Sequence, residues 1–246
     1  MADMDLSKFE KKIVLRNIEE KDIDEIIELA LVCFPNMKPW TKEQLRSHLR
    51  YFPEGQFCIE YEDKIIGSCS SLIVNFDEYD VQHTWDEITD KGYIRNHDPK
   101  GYNLYGIEVM VHPEYRRMKI GRRLYDARKD LAVRLNLKSI VIGGRIPNYH
   151  KYSEEMTPRE YVEEVMAQNS YDPVLTFQLM NGVVLKRITN NYLKDDFNSM
   201  KYATLMEWSN IDYRPMTKRT YKTSFPVRVF VVQYMMKQIN SFHDFA

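Results

Sequence analysis

Between Ile107 and Leu124 the chain reads I-E-V-M-V-H-P-E-Y-R-R-M-K-I-G-R-R-L, and five of the eight residues from Arg116 to Arg123 are basic: Arg116, Arg117, Lys119, Arg122 and Arg123. None of the eight is acidic. An apolar, strand-like run stops at Pro113, a basic loop follows, and Gly121 stands where a helical pattern begins. The first N–H groups of a helix have no intrahelical acceptor, and the dipole adds about half a positive charge at that end. Cations there oppose the dipole until an anion arrives, and a phosphate resolves the conflict. Gly121, lacking a Cβ, is expected to let a ligand come close to the backbone. The bland alternative is a solvated basic helix face, which the order strand, proline, turn and glycine disfavours.

The elements that must position this segment are readable on both sides of it. Lys11 to Arg16 reads as a strand, and Ile23, Ile26, Ile27, Ala30, Leu31 and Phe34 follow at helical spacing, with Pro35 as the stop. A second short helix is expected from Thr41. Gln56 to Glu62 and Lys64 to Val74 form a predicted hairpin about Glu62-Asp63. Residues 75–103 lack periodicity and read as an inserted excursion with one helical turn near Trp85 to Thr89. Leu104 to Val111 is a strand. Ile120 to Leu135 is a helix with Leu124, Ala127, Leu131 and Leu135 on its apolar face. Lys138 to Ile142 is a strand. Helices open at Thr157-Pro158 and Asp172-Pro173, and strands at Val183 to Thr189 and Lys201 to Trp208 close the pattern. That order specifies a mixed sheet with helices on both sides.

Composition narrows the function classes. A hydrophobic fraction of 43% and a charged fraction of 29% are those of a globular domain. A net charge of −1 argues against a general nucleic-acid binder. No apolar run reaches the ~20 residues of a membrane span, and the first residues lack a signal-peptide core; the cytoplasm is the expected location. Cys33, Cys58 and Cys69 are read as buried, reduced thiols. The six histidines are scattered without metal-ligand spacing, so no metal is expected.

The segment V-H-P-E-Y-R-R-M-K-I-G-R-R-L resembles the signature of the GNAT superfamily of N-acyltransferases, V-x-P followed by R/Q-x-x-G-x-G/A and a helix. Val111, Pro113, Arg116, Gly121 and Leu124 match it. The first glycine of the signature is Lys119 here, where a side chain is tolerable if it points to solvent. The resemblance implies an α/β (α+β) fold, a mixed and largely antiparallel sheet of about six or seven strands flanked by helices on both faces. It implies acetyl-CoA as acyl donor. Val109, Met110 and Val111 would bond the pantetheine arm, and Arg116, Arg117, Met118, Lys119, Ile120, Gly121 and Arg122 would surround the pyrophosphate. A narrower resemblance links E-Y-V-E-E-V-M and Y-D-P-V-L-T-F-Q-L-M-N-G to bacterial proteins in which a GNAT module precedes a carbon-nitrogen hydrolase (nitrilase-like) module. Residues 1–212 would be the acyltransferase domain. Residues 213–246, with F-P-V-R-V-F-V-V-Q-Y, would begin the hydrolase, the alternative being a last strand of the same domain.

Transfer to an amine needs a base, and Glu108, on the strand beside the expected thioester, is the candidate. The position where many GNAT enzymes carry an acidic tyrosine reads Gln178, which cannot donate a proton to a thiolate; Tyr149 and Tyr171 are alternatives. The acceptor is expected to be a small-molecule or peptide amine, a cationic one if Asp77, Glu78, Asp80, Asp86, Glu87 and Asp90 line its pocket. A homodimer is the expected assembly. The competing reading is a CoA-binding sensor module of a fused hydrolase.

Overall fold

The structure is a computed structural model that describes residues 13–79 and 82–215. Those residues, up to Arg214, belong to one compact unit. Seven strands form one sheet in the order β1-β2-β3-β4-β5-β7-β6. They are β1 (Ile13–Asn17), β2 (Phe57–Tyr61), β3 (Lys64–Val74), β4 (Asn103–Val111), β5 (Ser139–Arg145), β6 (Val184–Thr189) and β7 (Ala203–Ser209). Every neighbouring pair is antiparallel except β4 and β5. That parallel pair needs a crossover, and the helix α4 (Ile120–Arg134) supplies it. The expected mixed, largely antiparallel sheet is the one observed.

Helices cover both faces because the central strands are apolar on both. In β2, Cys58 joins the cluster under α1 (Ile23–Cys33) and α2 (Lys42–Tyr51), with Ile26, Leu29, Leu45 and Met110. The adjacent Ile59 turns to the other face and joins Ile120, Leu124 and Leu131 of α4. The short α5 (Pro158–Met166) and α6 (Pro173–Met180) add Tyr161, Val162 and Leu175 to that second core. Each of these two helices starts as the sequence demands. Thr157 accepts from Glu160 N–H in a reciprocal capping box, and Asp172 accepts from Val174 and Leu175 N–H, both at 3.0 Å.

One expectation needs correction. The apolar stripe of α4 stops at Leu131: the helix ends at Arg134, and Leu135 caps it with 41% of its surface exposed. The sequence pattern carries no strand order, and in the sheet β7 lies between β5 and β6. The excursion does contain its one helical turn, α3 (Trp85–Ile88), capped by Thr84. The strand-like run expected at 225–234 lies outside the described residues.

Candidate functional site

β4 and β5 pair only from Asn103–Gly106 against Ser139–Ile142. Beyond Gly106 the two strands part: β4 continues to Val111 paired only to β3, and β5 continues to Arg145 paired only to β7. A wedge therefore opens in the middle of the sheet, and the sheet-facing N–H and C=O groups on its sides have no ladder partner. Its apex coincides with a β-bulge. Ser70 stands opposite Glu108 and Ser71 opposite Gly106, so Ile107 is the extra residue. A bulge bends its strand and re-aims the side chains beside it.

Glu108 follows that bulge directly. It shares a face with Ser70, its ladder partner, and the alternating Cys69 and Ser71 face α4 instead, where they meet Leu124 and Arg128. Both carboxylate oxygens of Glu108 are shielded from solvent, and neither completes a hydrogen bond. Desolvation pushes this carboxyl up to about 7, against the smaller opposing pull of Arg128 and of the Ser70 hydroxyl. A buried polar atom without a partner calls for an explanation, and a carboxyl poised near neutral pH can accept a proton there. The residues around it are held in place by side chains. Trp85 Nε1 donates to the Ile107 carbonyl at 3.4 Å, and Arg128 Nη2 donates to the Glu108 carbonyl.

At the outer end of the wedge lies the basic segment. Residues Pro113–Met118 form a turn of 3-10 helix, and Lys119 has φ +58° and ψ +22°. The left-handed region favours glycine, which is the residue this position departs from; the Lys119 side chain is exposed, as its tolerance requires. α4 then begins with no side-chain cap and no acid in its first turn. Its first backbone N–H in an intrahelical bond is Arg123, to Lys119 at 3.2 Å, which leaves the amides of Ile120, Gly121 and Arg122 free of helix partners. Arg116, Arg117, Met118, Lys119, Arg122 and Arg123 surround this end on the surface. Arg116 Nε and Cys33 Sγ both donate to the Val111 carbonyl, at 3.4 and 3.3 Å, which ties the loop and α1 to the end of β4. Val109 and Val111 are half-buried, and the Met110 side chain is buried under α1.

Gly121 has a packing reason to be small. A Cβ there would stand 2.8 Å from Cζ of Phe177, so its smallness seats α6 against α4. Gln178, the next residue on α6, is buried and reaches over β5. Its amide oxygen would lie 2.2 Å from a Cβ on Gly144, and that oxygen has no hydrogen-bond partner. Gln178 therefore does sit at the splayed part of β5, with a side chain that has no acidic proton to give. Tyr149 is buried and donates to the Met156 carbonyl at 3.0 Å, and Tyr171 is 63% exposed before α6.

The acids of the excursion have local partners. Asp77 accepts from Tyr102 at 3.2 Å, Glu78 from Asn75 at 2.7 Å, and Asp86 from Lys194 at 3.3 Å. Glu87 caps α3 through Thr84, and Asp90 pairs with Arg95. Asp80 lies outside the described residues. Asp77, Glu78 and Glu87 bond neutral donors and keep their charge, whereas Asp86 and Asp90 are paired with Lys194 and Arg95. Among the described residues no three His, Cys, Asp or Glu come together, and no helix is long and apolar enough to cross a membrane.

Sequence reasoning missed two contributors. Arg128 is 1% exposed and lies on the apolar stripe of α4 four residues after Leu124; a charge on a buried stripe is the signal that could have found it. Tyr105 and Tyr192 join their hydroxyls at 2.7 Å near the apex, and the Tyr192 hydroxyl would lie 2.2 Å from a Cβ on Gly143. No local pattern links residues so far apart in the chain.

Residues 23–152 match the model of the acetyltransferase (GNAT) family. "Probable hydrolase YhcX" of Bacillus subtilis (strain 168) is 70% identical over 244 residues, which are 99% of this chain and 48% of that protein. The chain thus spans about half the length of that relative. "Uncharacterized N-acetyltransferase YkwB" of the same organism is 42% identical over 211 residues, 84% of this chain and 92% of the relative. Among solved structures, a GNAT-like decarboxylase, GphF, in complex with isobutyryl-CoA superposes with a TM-score of 0.68 at 19% identity, over 80% of this chain and 98% of that one. At that identity the likeness is one of fold.

Proposed function

Because this chain belongs to the acetyltransferase (GNAT) family, we propose that it transfers an acyl group from acetyl-CoA to the nitrogen of a small-molecule or peptide amine. The observation that carries this is the partnerless, buried carboxyl of Glu108 at the apex of the β4–β5 wedge, held near neutral pH by desolvation. Coenzyme A supplies the acyl group as an activated thioester. The free amides of Ile120, Gly121 and Arg122, with the arginines about them, suit a diphosphate. The backbone of Val109, Met110 and Val111 suits an extended arm that fills the wedge as an additional strand would.

Glu108 accepts the proton of the attacking amine, directly or through one water, as the nitrogen bonds to the acyl carbon and the carbon–sulfur bond breaks. Gln178 cannot reprotonate the departing thiolate, so water does so. A ternary complex with direct attack requires no covalent acyl-enzyme, and the thiols agree: burial pushes Cys33 and Cys69 up to about 11, which leaves them protonated and poorly nucleophilic.

A second reading has a specific observation in its favour. Gln178 at the position of the expected acid, together with a relative named as a probable hydrolase, fits a CoA-binding module that senses CoA for a longer protein. One experiment separates the two. Acetyl-CoA at a hundredfold excess over its Kd should stabilise the protein by about 2.7 kcal/mol in a thermal-shift assay, and an enzyme should also release free CoA thiol with some member of an amine panel. Binding without thiol release favours the sensor; indifference to CoA at millimolar concentration removes both.

A further inference from the structure

Resting on the reading of Glu108 as base, we propose that Arg128 is a positioning residue that clamps the β4 bulge and supplies the counter-charge to the Glu108 carboxyl. Arg128 reaches from α4 to the two ladder pairs that flank the extra residue Ile107. Its Nη2 donates to the Ser70 carbonyl at 2.6 Å and to the Glu108 carbonyl, and its Nε donates to the Ser71 hydroxyl at 3.1 Å. Ser70 pairs with Glu108 and Ser71 with Gly106, so one guanidinium fixes the strand on both sides of the bend. Gly106 makes room for it: a Cβ there would stand 3.0 Å from Nη1.

Packing alone does not explain this side chain. Arg128 is 1% exposed, its Nη1 has no hydrogen-bond partner, and among the described residues no carboxylate forms an ion pair with it. A buried cation without an anion is costly, and an apolar residue of similar volume would fill the same space more favourably. The charged or titratable groups that act on Glu108 are few. Cys33 from α1 and Cys69 from β3 are thiols pushed up to about 11 and are neutral when Glu108 titrates; Ser70 carries no charge. Arg128 is the remaining charge, and it pulls Glu108 toward the ionised form against desolvation. The clamp that shapes the bulge therefore also keeps the base from becoming too strong an acid-holder to be ionised near neutrality.

The test titrates Glu108 itself and needs no acceptor. Protein labelled with 13C at the glutamate carboxyls is followed by NMR from pH 4 to 10, with Glu108→Gln to assign the resonance. The wild type is expected to titrate near 7. Arg128→Met should move the midpoint up by about one unit or more, and Arg128→Lys, which keeps the charge and loses the fork, should move it less. An unmoved midpoint in folded Arg128→Met, or equal midpoints in the Met and Lys variants, overturns the role. Should the Met variant not fold, the Lys variant still decides: unchanged midpoint and unchanged amide shifts at Ser70, Ser71 and Glu108 overturn the clamp. A wild-type midpoint near the ordinary 4.5 overturns the base assignment and the role of Arg128 with it, whereas a raised midpoint indifferent to Arg128 overturns only the latter.

Discussion

Glu108→Gln should make the protein more stable, and only above a certain pH. The carboxyl is raised from 4.5 to about 7 by burial, so the unfolded chain ionises it more readily than the folded one. The sign follows from linkage: the neutral form favours the fold fully below the unfolded value, and that advantage is lost as pH rises through the folded value. At about 1.4 kcal/mol per pH unit, the loss across this window approaches about 3 kcal/mol as an upper limit, since water entering the wedge would relieve part of it. Glutamine keeps the shape and cannot ionise. In urea denaturation the two proteins should have equal stability at pH 4, diverge between pH 4.5 and 7, and differ by about 2–3 kcal/mol at pH 8, with equal m-values. Arg128, the nearby charge, works against the effect and is already included in the raised value. A stability difference that is constant from pH 4 to pH 8 would show that Glu108 is solvated and would refute the reasoning. The prediction also states a trade: a residue that costs stability near neutral pH is retained at the apex of the wedge, as expected where function rather than folding selects it.

Two further substitutions test the outer end of the wedge. Gly121→Val should cost about 1–3 kcal/mol by overpacking against Phe177, measured by urea denaturation, and Phe177→Leu in the same protein should restore part of it; wild-type stability of the single variant would contradict the contact at 2.8 Å. Lys119→Gly should relieve the left-handed conformation and, after the entropy gained by the unfolded glycine, raise stability by about 0.5 kcal/mol, seen as a rise in Tm of a few degrees at most; a lowered Tm would mean that the Lys119 side chain makes a stabilising contact.

The geometry of the basic segment was legible because it is local. Strand, proline, basic turn and helix start are adjacent in the chain, and the left-handed φ of Lys119 falls at the position where the signature has glycine. Glu108 could be singled out from its place on the strand beside the expected thioester. Its electrostatics could not. Burial raises it, and the groups that oppose the rise, Arg128 on α4 and Ser70 across the ladder, come from other elements; its orientation comes from a register shift at Ser70/Ser71 that no pattern on β4 reveals. Gly121 was legible as a residue that must be small and illegible as to why, because the atom that fills its space belongs to Phe177 on α6.

The same distinction explains the excursion. Its acids were visible as a count, and a count says nothing about pairing. Thr84 and Glu87 form a capping box, a local motif four residues long that the sequence does display. Asp86 is neutralised by Lys194, which arrives from the connection between β6 and β7. Tyr192 in that same connection presses its hydroxyl on Gly143, next to the start of the splay in β5. One connection thus reaches both the excursion and the wedge. Trp85 at the bulge carbonyl and Tyr192 against Gly143 are the aromatic groups that the excursion and this connection bring to the wedge.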